Sequence, residues 1–178
     1  LQTLELNNTS ITDGSLRELL VFKNLQTLNL SGTKITDTGL KTVAEIASLQ
    51  SLNLAGIKAT DAGIKHLVGL KKLEELHLNG MPITDAACKD LAQIPTLKTL
   101  NLLFGKLTGS SIKELAPLKN LHTLGLSGNR ITDAGVKDLA AFADLRHLYL
   151  NGTPITDAAL KEIVPLKKLE SLDVGSTR

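Results

Sequence analysis

"LQTLNLSGTKITDTGLKTVAEIAS", residues 25–48, is one complete unit of a pattern that runs the length of the chain. Its opening leucine recurs at 1, 25, 49, 73, 97, 121, 145 and 169, a spacing of 24 residues kept without insertion or deletion. Self-similarity at a fixed period of this size marks a solenoid, in which each unit buries its apolar face only against its neighbours. With each unit numbered from that leucine, positions 4 and 6 are also apolar, as in Leu28 and Leu30, and the last copy carries Leu172 and Val174. The resulting L-x-x-L-x-L predicts a short strand with positions 4 and 6 facing inward. Position 11 is apolar in every copy: Ile11, Ile35, Ala59, Ile83, Leu107, Ile131 and Ile155.

The second half of the unit changes period. Apolar residues fall at positions 16, 19, 20 and 22, as in Leu160, Ile163, Val164 and Leu166, and predict a two-turn amphipathic helix. A Thr-Asp pair precedes it in Thr12-Asp13, Thr36-Asp37, Thr60-Asp61, Thr84-Asp85, Thr132-Asp133 and Thr156-Asp157. The pair reads as an N-cap, worth about 1 kcal/mol. A base stands four residues after the Asp position throughout (Arg17, Lys41, Lys65, Lys89, Lys113, Lys137, Lys161), which predicts an i,i+4 ion pair along each helix. Pro95, Pro117 and Pro165 fall where the helix must stop.

One unit departs from its siblings. In "NLLFGKLTGSS", residues 101–111, Leu103 and Phe104 stand where other units have Ser-Gly or Asn-Gly, and Gly109 replaces the aspartate.

These residues resemble leucine-rich repeat proteins over the whole chain. The "ITDxGL" segment is similar to the cysteine-containing subfamily of F-box substrate receptors. That subfamily's unit is longer, however, and its named cysteine is replaced here by Thr9, Thr33, Asn129 and Thr153. The 24-residue threonine variant is more similar to bacterial leucine-rich repeats. The resemblance implies an α/β fold: a curved right-handed solenoid with a parallel sheet on the concave face and short helices on the convex face.

Residues 1–178 are expected to form a single repeat domain of seven full units and a partial eighth. A hydrophobic content of 42% supports a sizeable core, and an aromatic content of 2% makes that core aliphatic. Twenty basic residues against eighteen acidic ones, without blocks, argue against nucleic acid and membrane-surface partners. The sequence also lacks an apolar run long enough for membrane insertion. A single cysteine excludes an internal disulfide and a CxxC motif. The chain opens on Leu1, and neither terminal unit shows a polar cap, so it is expected to be a fragment of a longer protein.

Little in the sequence suggests catalysis. Cys88 occupies position 16, an apolar core position in its siblings. His77 and His147 lie three units apart, too far to share a metal at about 4.8 Å per strand. His122 and His147 come from neighbouring units but lack further ligands. The Thr-Asp row is explained by capping without calcium. No phosphate-binding loop or nucleophile elbow occurs. No catalytic residue, cofactor or metal site is therefore expected, and the protein is read as not an enzyme.

The surface offers more. Alternation sends positions 3, 5 and 7 to the open face of the sheet. That face is polar and lightly charged, and it lacks the basic stripe with interleaved aromatics that nucleic acid requires. Leu103 and Tyr149 stand out from it, and Gly125 is expected to leave a notch beside Tyr149. The candidate partner-binding residues are His77, Asn79, Asn101, Leu103, Phe104, Thr123, Gly125, His147 and Tyr149, all in units four to seven. Phe104 has two readings: an exposed anchor of this patch, or a cover over the buried run Ile57, Met81 and Gly105 at position 9. The function expected is a non-catalytic module that binds a protein or peptide on its concave sheet. The alternatives are a structural spacer that self-associates end to end through open repeat ends and, by family analogy, the substrate-recognition part of a ubiquitin ligase.

Overall fold

Every unit contributes one three-residue strand, and each residue pairs with its counterpart 24 positions on. In the computed structural model, which describes all 178 residues, the strands are β1 (Thr3–Glu5), β2 (Thr27–Asn29), β3 (Ser51–Asn53), β4 (Glu75–His77), β5 (Thr99–Asn101), β6 (Thr123–Gly125), β7 (His147–Tyr149) and β8 (Ser171–Asp173). They form one open parallel sheet in sequence order. Leu28 lies beside Leu4 and Leu52, and Leu100 beside Leu76 and Leu124. Backbone bonds such as Leu30 N–H to Asn53 carbonyl and Gly32 N–H to Ala55 carbonyl, both 2.8 Å, extend the pairing past each strand.

Identical register stacks like on like. The position 1, 4 and 6 leucines of units two to seven are fully buried or nearly so, and the buried apolar side chains form one continuous cluster. Full burial of each stabilises by about 1.5–3 kcal/mol, a gain available only when another unit covers it. Cys88 is part of this interior; burial, then Asp85, Asp61 and Glu114, push its thiol up to about 12, so it stays protonated and inert.

Short helical segments line the other side. They are α1 (Asp37–Val43), α2 (Asp61–Ile64), α3 (Asp85–Leu91), α4 (Ser110–Leu115), α5 (Asp133–Val136) and α6 (Asp157–Ile163). A 3₁₀ segment replaces the helix at Asp13–Val21 and continues it at Lys65–Gly69 and Lys137–Ala141. Positions 16, 19 and 22 face the core as expected, but position 20 does not: Val164 is 63% exposed. Leu160 is also partly exposed, having no further helix stacked against it.

The Thr-Asp pair behaves differently from the capping expectation. Of the six Thr-Asp pairs, only Thr60, Thr84 and Thr156 accept a first-turn N–H, at 3.3 Å. The aspartate reaches instead to the threonine of the next unit. Asp13 accepts from Thr36, Asp37 from Thr60, Asp61 from Thr84, Asp85 from Thr108 and Asp133 from Thr156. In each case one carboxylate oxygen takes the backbone N–H at 2.7–2.9 Å and the other takes the threonine hydroxyl. The i,i+4 ion pairs do not form, because the carboxylates are turned along the solenoid axis. The ion pairs present also join successive units: Glu74 with Lys98, Arg146 with Glu170, and Asp144 with Lys168.

These bonds alter the acidity of the carboxyls. Hydrogen bonds from Thr156 hold Asp133 below the usual 3.8. At Asp85 burial pushes upward, but bonds from Ser110 and Thr108 outweigh it and the net shift is downward. A carboxyl that ionises more readily when folded stabilises the fold above its unfolded value and loses that contribution as pH falls through the folded value. Thermal melts should therefore show the midpoint dropping below about pH 4, with a smaller drop in the Asp85→Asn/Asp133→Asn variant. At neutral pH, Asp61→Ala should destabilise by about 1–3 kcal/mol in denaturant titration. Lys65→Ala, four residues later, should stay within about 0.5 kcal/mol of the parent.

Candidate functional site

Position 8 of the unit turns the chain out of each strand and requires a left-handed backbone. Gly32, Gly56, Gly80, Gly128 and Gly152 hold it with φ between 66° and 70°. The small polar Asn8 and Ser176 hold it in units one and eight, and in unit five the residue is Phe104, at φ 57°. A bulky L-residue in this region costs about 1–2 kcal/mol relative to glycine. Its ring gains little burial in return: Phe104 is 64% exposed and lies over the bare α-carbon of Gly128 in the next unit. Of its two readings, the inward cover is thus the one that fails.

The space that Phe104 was to cover is filled by an amide. Asn129 is buried behind Gly105, where a β-carbon would come within 3.1 Å of its oxygen. Asn129 Oδ1 accepts from the Leu107 N–H at 3.1 Å, and Nδ2 donates to the carbonyls of Leu102 at 2.8 Å and Leu126 at 2.9 Å. The amide is fully satisfied and joins units five and six. By contrast, the threonines at this position bond back to their own unit, as Thr33 does to Leu30 and Thr153 to Leu150.

The remaining candidates follow the strand pleat. His77, Asn101, Gly125 and Tyr149 are successive register partners across β4 to β7, and Thr123 pairs with His147. With Leu76, Leu100, Leu124 and Leu148 buried on one side, these residues lie on the open face, where His77, Asn101, Thr123, His147 and Tyr149 are half-buried. The notch expected at Gly125 is absent. Gly125 is buried because Leu103 and Asn101 of the preceding unit lean over it and leave no room for a β-carbon. Ser127, expected on the open face, is likewise buried and donates to Asn151. The patch is a low apolar rise, with Leu103 over Gly125, Tyr149 beyond it and Phe104 on the adjoining loop edge.

Polar neighbours of the rise are held in place. Asn79 Oδ1 accepts the Leu103 N–H at 3.1 Å. The Asn101 side-chain nitrogen lies 2.9 Å from His77 Nδ1, a contact that needs the ring nitrogen unprotonated. Burial pulls the His77 pKa below 6.5 against the opposing charge of Glu75, which favours that neutral ring. No three His, Cys, Asp or Glu side chains gather in a metal-binding cluster. No helix is long and apolar enough to cross a membrane.

Comparison with known proteins agrees with this architecture. Family models described as "Leucine Rich repeats (2 copies)" and "Leucine Rich repeat" match residues 119–162 and 23–44. No curated protein sequence matches the chain. Among solved structures, the internalin InlF of Listeria monocytogenes is 26% identical with a TM-score of 0.83, over 98% of this chain and 48% of its own. The chain thus spans about half the length of that internalin. Internalin C2 of the same bacterium is 25% identical with a TM-score of 0.73, over 97% of this chain and 80% of its own. The plant peptide hormone receptor RGFR1, solved in complex with RGF2, shares the fold alone at 17% identity and a TM-score of 0.61, over 100% of this chain and 32% of its own. The chain carries leucine-rich repeats, and such repeats are in general a non-enzymatic interaction fold.

The two irregular residues should respond oppositely to substitution. Asn129→Ala strands buried polar groups and should destabilise by about 2–3 kcal/mol in denaturant titration. Phe104→Gly removes the backbone strain and should leave stability unchanged or raise it by up to about 2 kcal/mol.

Proposed function

We propose that the chain is a non-catalytic interaction module that takes a protein or peptide on the open sheet face and adjoining loop edge of units four to seven. The observation that carries this reading is Phe104. A bulky side chain that adds strain and stays mostly exposed contributes little to folding, and retention of such strain points to use. Tyr149 and Leu103 extend the apolar surface, which is ringed by the polar groups of His77, Asn79, Asn101, Thr123 and His147. Aromatic and aliphatic anchors within a polar rim are the arrangement from which interfaces draw most of their energy. Gly125 serves by allowing Leu103 to lie flat.

The fold supports the same reading. A rigid stack offers its sheet face at little cost in conformational entropy, so many modest contacts add up. The likeness to internalins is consistent with that use.

The test is capture of binding proteins from cells of the source organism with the parent chain and a Leu103→Ser/Tyr149→Ala variant in parallel. Both substitutions lie on the half-exposed face, so circular dichroism and the thermal midpoint should be nearly unchanged. A protein retained by the parent should be lost from the variant, with affinity down at least about a hundredfold for two anchors of about 1.5–2 kcal/mol each. Equal retention by both would remove the open face from the reading.

A further inference from the structure

Charge is spread unevenly around the solenoid. None of the twenty bases stands at positions 3, 5 or 7, which alternate toward the open face, whereas Glu5, Glu75 and Asp173 do. None of these three acids is in an ion pair; the paired acids are Glu74, Asp144 and Glu170, in the loops that enter the strands. Asp173 is the acid set against the apolar rise. It is the register partner of Tyr149 on the adjoining strand, about 4.8 Å away. Its neighbour Leu172 pairs with the buried Leu148, so Asp173 lies on the same face as Tyr149, and it is exposed there.

The fold does not call for that charge. Asp173 Oδ1 accepts the Gly175 N–H at 3.0 Å, and Asn29 and Asn53 make the same turn bond to Ser31 and Ala55, also at 3.0 Å, with a neutral amide. Asp173 Oδ2 has no partner within the protein.

We propose that Tyr149 and Asp173 together seat a basic side chain, an arginine above all, of the protein or peptide that occupies the open face. The inference rests on that face being the binding surface and adds the chemistry of its ligand. Leu103, lying over Gly125, and Tyr149 form an apolar bed for the methylene stem of an arginine. The guanidinium stacks on the phenol ring and meets the free carboxylate oxygen at the end of that bed. Lysine brings the charge without the planar fork and ranks second. An acidic ligand would meet Asp173 and Glu75, with neither lysine nor arginine on that face to answer it.

The test titrates the whole chain, ¹⁵N-labelled, with a short peptide of alternating leucine and arginine, and with the same peptide carrying neutral citrulline at each arginine. The arginine peptide should shift the amides of Leu103, Tyr149 and Asp173, and the citrulline peptide should bind there about tenfold more weakly. Asp173→Asn keeps the bond to Gly175, so the thermal midpoint should hold while most of the tenfold difference disappears. Asp173→Lys should turn the preference toward a leucine–glutamate peptide. The inference is overturned by unshifted Tyr149 and Asp173 amides, by equal affinity of the parent for the arginine and citrulline peptides, or by a preference that survives Asp173→Asn. Leu103→Ser/Tyr149→Ala separates the two readings. If the parent binds both peptides equally and this variant binds neither, the arginine is removed and the open face stands; if the variant binds both as the parent does, the open face falls as well.

Discussion

A residue and its counterpart 24 positions later occupy equivalent places in adjacent strands, and the rest of the structure follows from that constraint. It stacks leucine on leucine at positions 1, 4 and 6 and makes each interior layer the lid of the one before. Aliphatic side chains suit such a stack because they interdigitate without directional demands, and the near-absence of aromatic residues keeps the layers alike. The same constraint puts polar groups in rows, so that any bond formed between two units can be repeated between the next two. The aspartate–threonine rungs are the clearest instance. They serve the helical side as backbone hydrogen bonds serve the sheet side, and together the two sets clamp five of the junctions at both edges.

Most of the fold could be read from the sequence because burial of leucine depends on spacing alone. The strands, the inward positions and the single interior needed only the period. The partners of Asp13, Asp37, Asp61, Asp85 and Asp133 were not legible in the same way. Capping and i,i+4 rules describe a single helix, whereas these carboxylates meet residues 23 positions away, a distance those rules do not consider. A signal was present nonetheless: threonine at position 12 persists beside the aspartate, and a cap needs only one of the two.

The candidate surface was legible in composition but not in shape. Leu103, Phe104 and Tyr149 stood out as departures from a polar background, and their places on the sheet face or its edge followed from the pleat. The absence of a notch at Gly125 did not follow, because the side chain that fills the space belongs to the previous unit. The outward direction of Phe104 could have been found in the glycine column at position 8. Five glycines in one column mark a left-handed turn, and a left-handed residue there points its side chain over the neighbouring loop rather than into the core.

Asn129 has a consequence for how such a chain can be rebuilt. Ordinary units are interchangeable modules, since any one meets its neighbours through the same leucines and the same rung. Units five and six are not. The Asn129 amide fits closely behind the bare backbone of Gly105, and a preceding unit with Met81 or Thr33 in that place would crowd it with a side chain. Recombination between chains of this type could splice freely at other boundaries, but these two units have to travel as a pair.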